Sequence, residues 1–456
     1  MSPREADLST RFERLDRLPV TGLHWRILIV CAFGLLFDVV EAGLGNALSA
    51  VFSAPPYKVS ATALSFLLAS VFIGGIVGAP LLGIFADRHG RRTALATSLL
   101  ILTVTSLLAA SSPDIVWLTA CRVLSGLALG AYPALMATYL ADVLPPKRRG
   151  TFILISAAGG FLGAPVVVFL IASLTPLQPL GVEGWRWTLA IGAAGSAIVG
   201  VFMLGLPESP RWLWTVGRGS EADAACARFE TAAGGVPQPE SATARIVPAS
   251  AGVTSGQQRR LWSAAERPIL LRALPFAVLE FLSPWPTIGF PLMIGAVLVA
   301  KGFRVADSLF YVGVTMFGPT LGVLLAASLI DRVERRMALA LAGGAMALCG
   351  ILFALSDAPL TLMSAGLAFQ LIGAIYVTTL NVYAAEAFPT ELRAAVSSST
   401  WAVNRVAAAL APLALLPLLK SAGVLAMFSV IAGVLVAGIC VVVAFGPRGL
   451  TREPLA

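Results

Sequence analysis

The stretch "DRHGRRTAL" at residues 87–95 returns as "DRVERRMAL" at residues 331–339. A second pair, "YLADVLPPKRRG" from Tyr139 and "YAAEAFPTELRA" from Tyr383, is displaced by the same 244 residues that separate Asp87 from Asp331. Two independent matches at one offset mark an internal duplication. The short basic stretches lie between long apolar runs, so the duplicated unit is a set of apolar segments with charged connections.

Composition says where such segments live. Of 456 residues, 57% are hydrophobic and only 12% are charged, with a mean hydropathy of +0.86. That excludes a soluble globular chain and indicates an integral membrane protein. Apolar runs of about 20 residues, the length that crosses a bilayer as a helix, fall at 26–52, 60–86, 93–111, 114–140, 151–173, 186–206, 269–298, 308–330, 337–356, 359–384, 394–418 and 423–445. An even number of crossings leaves both termini on one side. With this topology, 25 of the 32 Lys and Arg residues lie on the terminal side and five on the other (Lys58, Arg186, Lys301, Arg304, Lys420). The positive-inside rule makes the terminal side cytoplasmic. The formal charge of +8 is therefore topological, and nucleic acid is not an expected partner. The opening "MSPREADLSTRFERLDRLPVTGLHWR" has no uncharged h-region or cleavage site and reads as a cytoplasmic lead-in.

The expected organisation is a lead at 1–25, a six-helix bundle at 26–206, a linker at 207–268, a second six-helix bundle at 269–445 and a tail at 446–456. The fold class is all-α, with twelve transmembrane helices in two pseudo-symmetric bundles related as parallel repeats, an arrangement that places substrate at their interface. Within the linker, "SEADAACARFETA" suits a short surface helix, and "PQPESATARIVPASAGVTSGQQRR" reads as a mobile connection. The five cysteines are scattered and the two histidines join no ligand set, so neither metal nor disulfide chemistry is expected. No Walker A or nucleophile motif is present; the chain reads as a non-enzyme without cofactor, and as a monomer.

Charged residues inside the apolar runs are functional candidates because each costs roughly 2.5–3.5 kcal/mol at mid-bilayer. They are Asp38, Glu41, Arg122, Glu280 and Arg405. Asp38 and Glu41, in "FGLLFDVVEAGLGNAL" (33–48), share one helical face. At 1.5 Å per residue, Asp38 lies roughly 10 Å below the far surface of a ~30 Å core. Arg122, descending from that surface, reaches about 12 Å, so the two could meet. A nearby arginine holds a carboxylate ionised and desolvation favours its protonated form, so alternating exposure can link proton loading to conformation. The competing readings are a static helix–helix bridge and direct binding of a cationic substrate. Arg405 lies about 18 Å into its helix, where a guanidinium fork suits a substrate carboxylate or a structural partner, Glu280. Phe37, Phe281, Trp285, Tyr376 and Trp401 could supply stacking surfaces. Gln370, Asn381 and Asn404 could fix orientation, although Asn404 points about 100° away from Arg405 on an ideal helix.

These motifs resemble the major facilitator superfamily over nearly the whole chain. "GIFADRHGRR" carries its signature between helices two and three at Gly83, Asp87, Arg88, Gly90, Arg91 and Arg92, and the second copy departs at Ala327 and Glu334. "RVLSGLALG" (Arg122, Gly126, Gly130) resembles the helix-four motif. "GWRW" (184–187) and "PESPRWL" (207–213) resemble the branch of sugar porters and organic-ion transporters. The resemblance implies a cytoplasmic charge latch holding the outward-facing state, made by the signature residues with Asp142, Arg149, Glu208 and Arg211, and repeated by Asp331, Arg335, Glu386 and Arg393. The first helix is similar to metabolite and aromatic-acid:proton symporters, which carry Asp-x-x-Asp; here the second acid is Glu41. In sugar porters the helix-one acid couples to the helix-four arginine, which by position implies Glu41, with Asp38 an addition. The seventh helix lacks the paired glutamines of sugar porters. In organic-ion transporters a helix-eleven arginine before a proline contacts anionic substrate, which implies Arg405 ahead of Pro412.

The expectation is a transporter of the cell inner membrane that takes up a small organic anion, an aromatic or heterocyclic carboxylate, with protons by alternating access. Its partners are substrate, protons and the bilayer. The alternatives are a proton-coupled exporter of drugs or organic cations, and a non-transporting membrane sensor or scaffold.

Overall fold

The structure is a computed structural model that describes residues 12–234, 267–329, 333–388 and 390–446. Among these residues it contains helices and turns but no strand. Backbone groups in hydrocarbon have no water to bond, so a helix, which satisfies them internally, is the form each apolar run takes. The crossings are α1 (Gly22–Ser53), α2 (Ala61–His89), α3 (Arg91–Ala110), α4 (Ile115–Leu129, continued as Tyr132–Val143), α5 (Pro146–Phe161, continued as Gly163–Leu177) and α6 (Gly184–Leu204). The second half contributes α7 (Arg267–Leu282, then Phe290–Ala300), α8 (Val305–Thr315, then Gly318–Leu329), α9 (Arg335–Leu355) and α10 (Pro359–Glu386). One continuous run, Thr390–Phe445, holds α11 and α12. Gly423, at φ 84°, divides it, a backbone angle that L side chains rarely adopt. Each of the twelve expected runs is thus a helix.

Within the first bundle, α2 and α4 approach closely because glycines face each other. A Cβ on Gly126 would lie 2.2 Å from the Val71 carbonyl oxygen, and one on Gly78 would lie 2.1 Å from that of Leu127. Small residues allow this approach where lipid supplies no hydrophobic drive. In α7, Pro284 and Pro286 remove two backbone donors, and the helix widens into a π turn at Trp285–Gly289.

On the terminal face, helices Pro210–Thr215 and Gly219–Ala232 fold onto the first bundle. Trp212, Leu213, Trp214, Cys226 and Phe229 join Leu28, Ala86 and Met203 in one buried cluster. Burial pushes the Cys226 thiol up to about 11, which keeps it protonated and inert. The "SEADAACARFETA" stretch is therefore helical, and the expected mobile connection at 237–260 lies outside the described residues.

The two bundles meet firmly on the face opposite the termini. Asn46 donates to Met316 Sδ at 3.2 Å, Ala296 N–H to Ser49 Oγ at 3.3 Å, and Lys420 Nζ to the Val59 carbonyl at 2.9 Å. Gly45 leaves room for Leu292 and Gly295 for Ala50. Among the described residues, every ion pair on the terminal face joins residues of one bundle. These contacts close the face opposite the termini.

The α2–α4 contact gives a direct test. Gly126→Leu should destabilise the protein by roughly the 1–3 kcal/mol or more that overpacking costs, read as a sharp fall in melting temperature. Gly344→Ala, where an added Cβ meets nothing within 4 Å, should leave it nearly unchanged. Equal melting of both variants in detergent would contradict the packing.

Candidate functional site

α1 brings both acids to the centre, and the two part company there. Glu41 turns into the first bundle, where Arg122 Nη1 donates to its Oε1 at 3.1 Å and Nη2 to its backbone carbonyl at 3.2 Å. Ser106 Oγ donates to the other carboxylate oxygen at 2.9 Å and Ser125 Oγ to Oε1 at 3.3 Å. Arg122 is 1% exposed and Glu41 5%. A buried ion pair is sound only when further hydrogen bonds satisfy the remaining lone pairs; the two serines do so for the carboxylate, while Arg122 Nε is enclosed without a partner among the described residues. Sequence reasoning found the pair but missed the serines; their position on α3 and on α4, one turn from Arg122, was the available signal.

Asp38 does not meet Arg122, as depth alone had allowed, because Arg122 is committed to Glu41. It lies instead within electrostatic reach of Arg405 on α11, across the bundle interface. No ion pair within 4.0 Å and no hydrogen bond joins the two. The Arg405 guanidinium stands 4.7 Å from the Trp401 ring centroid, in cation–π contact. Its Nε is buried without a hydrogen-bond partner.

The expected Arg405–Glu280 pair is corrected by the same geometry. Glu280 accepts from Asn404 Nδ2 at 2.8 Å, and the 100° step between neighbouring helical residues sends Arg405 elsewhere. Asn404 is thereby a support for Glu280. Trp285, on the π turn, is half-buried with its Nε1 enclosed and unpartnered, and its ring lies 6.5 Å from that of Phe281. Arg405, Trp401 and Trp285 thus offer unspent donors and ring surface in the membrane interior.

Four other expected site residues are placed differently. The Phe37 ring is directed at Gly195 on α6, where a Cβ would come within 2.0 Å of it; it fills a notch inside the first bundle. Tyr376 packs inside the second bundle beside Gly343 and Gly438. Gln370 donates to Met316 Sδ at 3.5 Å, next to Asn46, and belongs to the far-face seal. Asn381 is exposed on α10.

The signature residues form two networks on the terminal face. Gly90 turns the chain at φ 102°, and a Cβ there would strike Glu208 Oε2 at 2.3 Å. Glu208 accepts from the backbone N–H groups of Arg92 (2.9 Å) and Thr93 (3.3 Å), placing a carboxylate at the positive start of α3. Arg91 bonds Asp87 at 2.6 Å and lies 3.9 Å from Asp142. Asp142 also accepts from Ser209 (2.8 Å), and its backbone carbonyl from Arg211 (2.9 Å). Asp16, unforeseen in the sequence, pairs with Arg211 and stands 3.9 Å from Arg149. Arg88 and Asp87 are exposed, and Gly83 faces open space. In the second bundle Arg335 grips Glu386 with two bonds of 3.0 and 3.1 Å. Asp331 and the Arg393 side chain lie outside the described residues.

Comparison with known proteins bears on what this arrangement does. The profile of the family described as "Sugar (and other) transporter" matches residues 27–452. The chain is 27% identical to the putative metabolite transport protein YyaJ of Bacillus subtilis over 98% of its length and 97% of that protein's. It is 29% identical to the niacin transporter NiaP of Acinetobacter baylyi over 88% of each. Among solved structures, the partially occluded inward open xylose transporter XylE from E. coli superposes with a TM-score of 0.72 at 17% identity, covering 94% of this chain and 98% of that one.

If the Glu41–Arg122 bridge is complete as built, Glu41→Gln strands a buried guanidinium and should cost about 3–5 kcal/mol. The double variant Glu41→Gln/Arg122→Met should recover much of that loss in thermal melting. A single variant as stable as the parent would contradict the bridge.

Proposed function

The chain belongs to the sugar (and other) transporter family of the major facilitator superfamily, and from that premise we propose that it imports a small organic anion together with protons. The substrate class is an aromatic or heterocyclic monocarboxylate. The observation that carries this reading is Arg405: a cation inside the membrane, with no ion pair and an unpartnered Nε among the described residues, beside Trp401. A guanidinium desolvated in this way gains most from a carboxylate, which matches its planar fork. The indole rings of Trp401 and Trp285 then flank a planar substrate, and the free Trp285 Nε1–H is a further donor to it.

Relatives support the class. The niacin transporter is named for a heterocyclic carboxylate, and its similarity extends over most of the chain. The xylose transporter shares the fold at low identity, and a neutral pentose would leave Arg405 without an anion. Proton coupling is assigned to a carboxylate of α1, since a carboxylate whose surroundings alternate between wet and dry changes its proton affinity.

In this reading the units that move are 26–206 and 269–445, joined by 207–268, and the terminal face is cytoplasmic, on the inner side of the cell membrane. The Asp87–Arg91–Asp142 and Arg335–Glu386 networks are the released halves of a latch that re-forms when the far face opens.

Nicotinate and benzoate serve as probes. Arg405→Gln should weaken nicotinate binding at least roughly 30-fold, the scale of losing a buried charged partner, as read by isothermal titration of purified protein. Xylose should not compete. Unchanged nicotinate affinity in the variant would return Arg405 to a packing role.

A further inference from the structure

The two α1 acids are not equivalent, and their surroundings divide the labour between them. Glu41 is held by two arginine donors, two serine hydroxyls and near-complete burial. Releasing it would strand Arg122, whose side-chain hydrogen bonds among the described residues both go to Glu41. Asp38, three residues earlier, accepts no hydrogen bond and enters no ion pair among the described residues. Its charged neighbours are Arg405 from α11 and Glu41 from its own helix, with the Tyr132 hydroxyl of α4 beside it. Asp38 and Arg405 also sit on opposite bundles, so the space between them is remade whenever the bundles rock.

We propose that Asp38 carries the coupled proton, and that it does so by competing with the substrate carboxylate for Arg405, while the Glu41–Arg122 bridge persists as a fixed strut. This rests on the reading of Arg405 as the anion anchor. In the empty site, Asp38 carboxylate and Arg405 balance each other's charge across the interface. An arriving carboxylate would place two anions beside one cation in a low-dielectric space, which is strongly disfavoured. Protonation of an Asp38 carboxylate oxygen removes that conflict: the site then holds neutral Asp38, cationic Arg405 and anionic substrate. Empty and doubly loaded sites have the same net charge, whereas substrate alone or proton alone leaves an uncompensated charge between the bundles. Only the two neutral forms are therefore suited to the closure that carries the site across the membrane. The stoichiometry that follows is one proton per monocarboxylate, with electroneutral exchange of the site's contents.

Linkage gives the sign of the effect. If proton and anion each favour the other's binding, the benefit is reciprocal. Nicotinate affinity should fall about tenfold per pH unit once pH rises above the Asp38 titration. Isothermal titration of nicotinate into the purified full-length protein, between about pH 6 and pH 9 where nicotinate stays a monoanion, reads this directly. Asp38→Asn should bind nicotinate with pH-independent affinity, matching the parent at low pH. Glu41→Gln should retain the pH slope even if its stability falls. Should Asp38→Asn fail to fold, the wild-type protein still decides: titrations in buffers of different ionisation enthalpy should show uptake of one proton per nicotinate bound at about pH 8. A slope that survives in Asp38→Asn, a slope lost in Glu41→Gln, or binding without proton uptake would overturn the proposal while leaving Arg405 as anion anchor. Wild-type protein that binds neither nicotinate nor benzoate at any pH would overturn the anchor reading and this inference together.

Discussion

A charge placed in hydrocarbon must be neutralised where it stands, and this constraint organises the centre of the molecule. The penalty of several kcal/mol per uncompensated ion leaves few ways to keep an arginine on α4 and another on α11. Arg122 is neutralised from within its own bundle by Glu41, whose carboxylate takes two serine donors besides. Arg405 has Asp38 of the other bundle within electrostatic reach, at longer range and without a bond. The first arrangement survives any rigid rotation of the bundles; the second depends on their relation. That difference separates a strut from a sensor.

The same logic applies at the terminal face, where water lowers the stakes. Charges there pair within each bundle: Arg91 with Asp87 and Asp142, and Arg335 with Glu386. These pairs are partly enclosed, Arg335 most of all, so each lies between a surface pair of little worth and the dry central bridge. The far face is closed by packing and hydrogen bonds between Asn46, Ser49, Met316 and Ala296, contacts that hold a state without committing charge.

The twelve helices were legible in the sequence because bilayer thickness dictates segment length, and the duplication at one offset fixed their grouping. That an α1 acid meets Arg122 was legible from depth, and the family resemblance implied Glu41. Which acid faces which arginine was not, since residues three apart differ by only about 60° in direction and the deciding rotation of α1 is set by neighbours. Asn404 and Arg405 were separable, because adjacent residues diverge by about 100°, and the divergence now gives Glu280 to Asn404. Phe37 went astray for another reason: an aromatic next to a charged residue suggests a pocket wall, but Gly195 on α6 offers a notch that only the fold reveals. Asp16 was hidden in a lead that looked unattached, whereas Arg211 and Arg149 draw it to the first bundle.

The central claim is that proton binding and anion binding share one neutralised site. It is tested most directly by sealed proteoliposomes with an imposed pH gradient and nicotinate as the probe. The account predicts that acid outside drives nicotinate above its external concentration, and that a protonophore collapses the accumulation. Entry that stops at the external concentration, or that ignores the gradient, would contradict it.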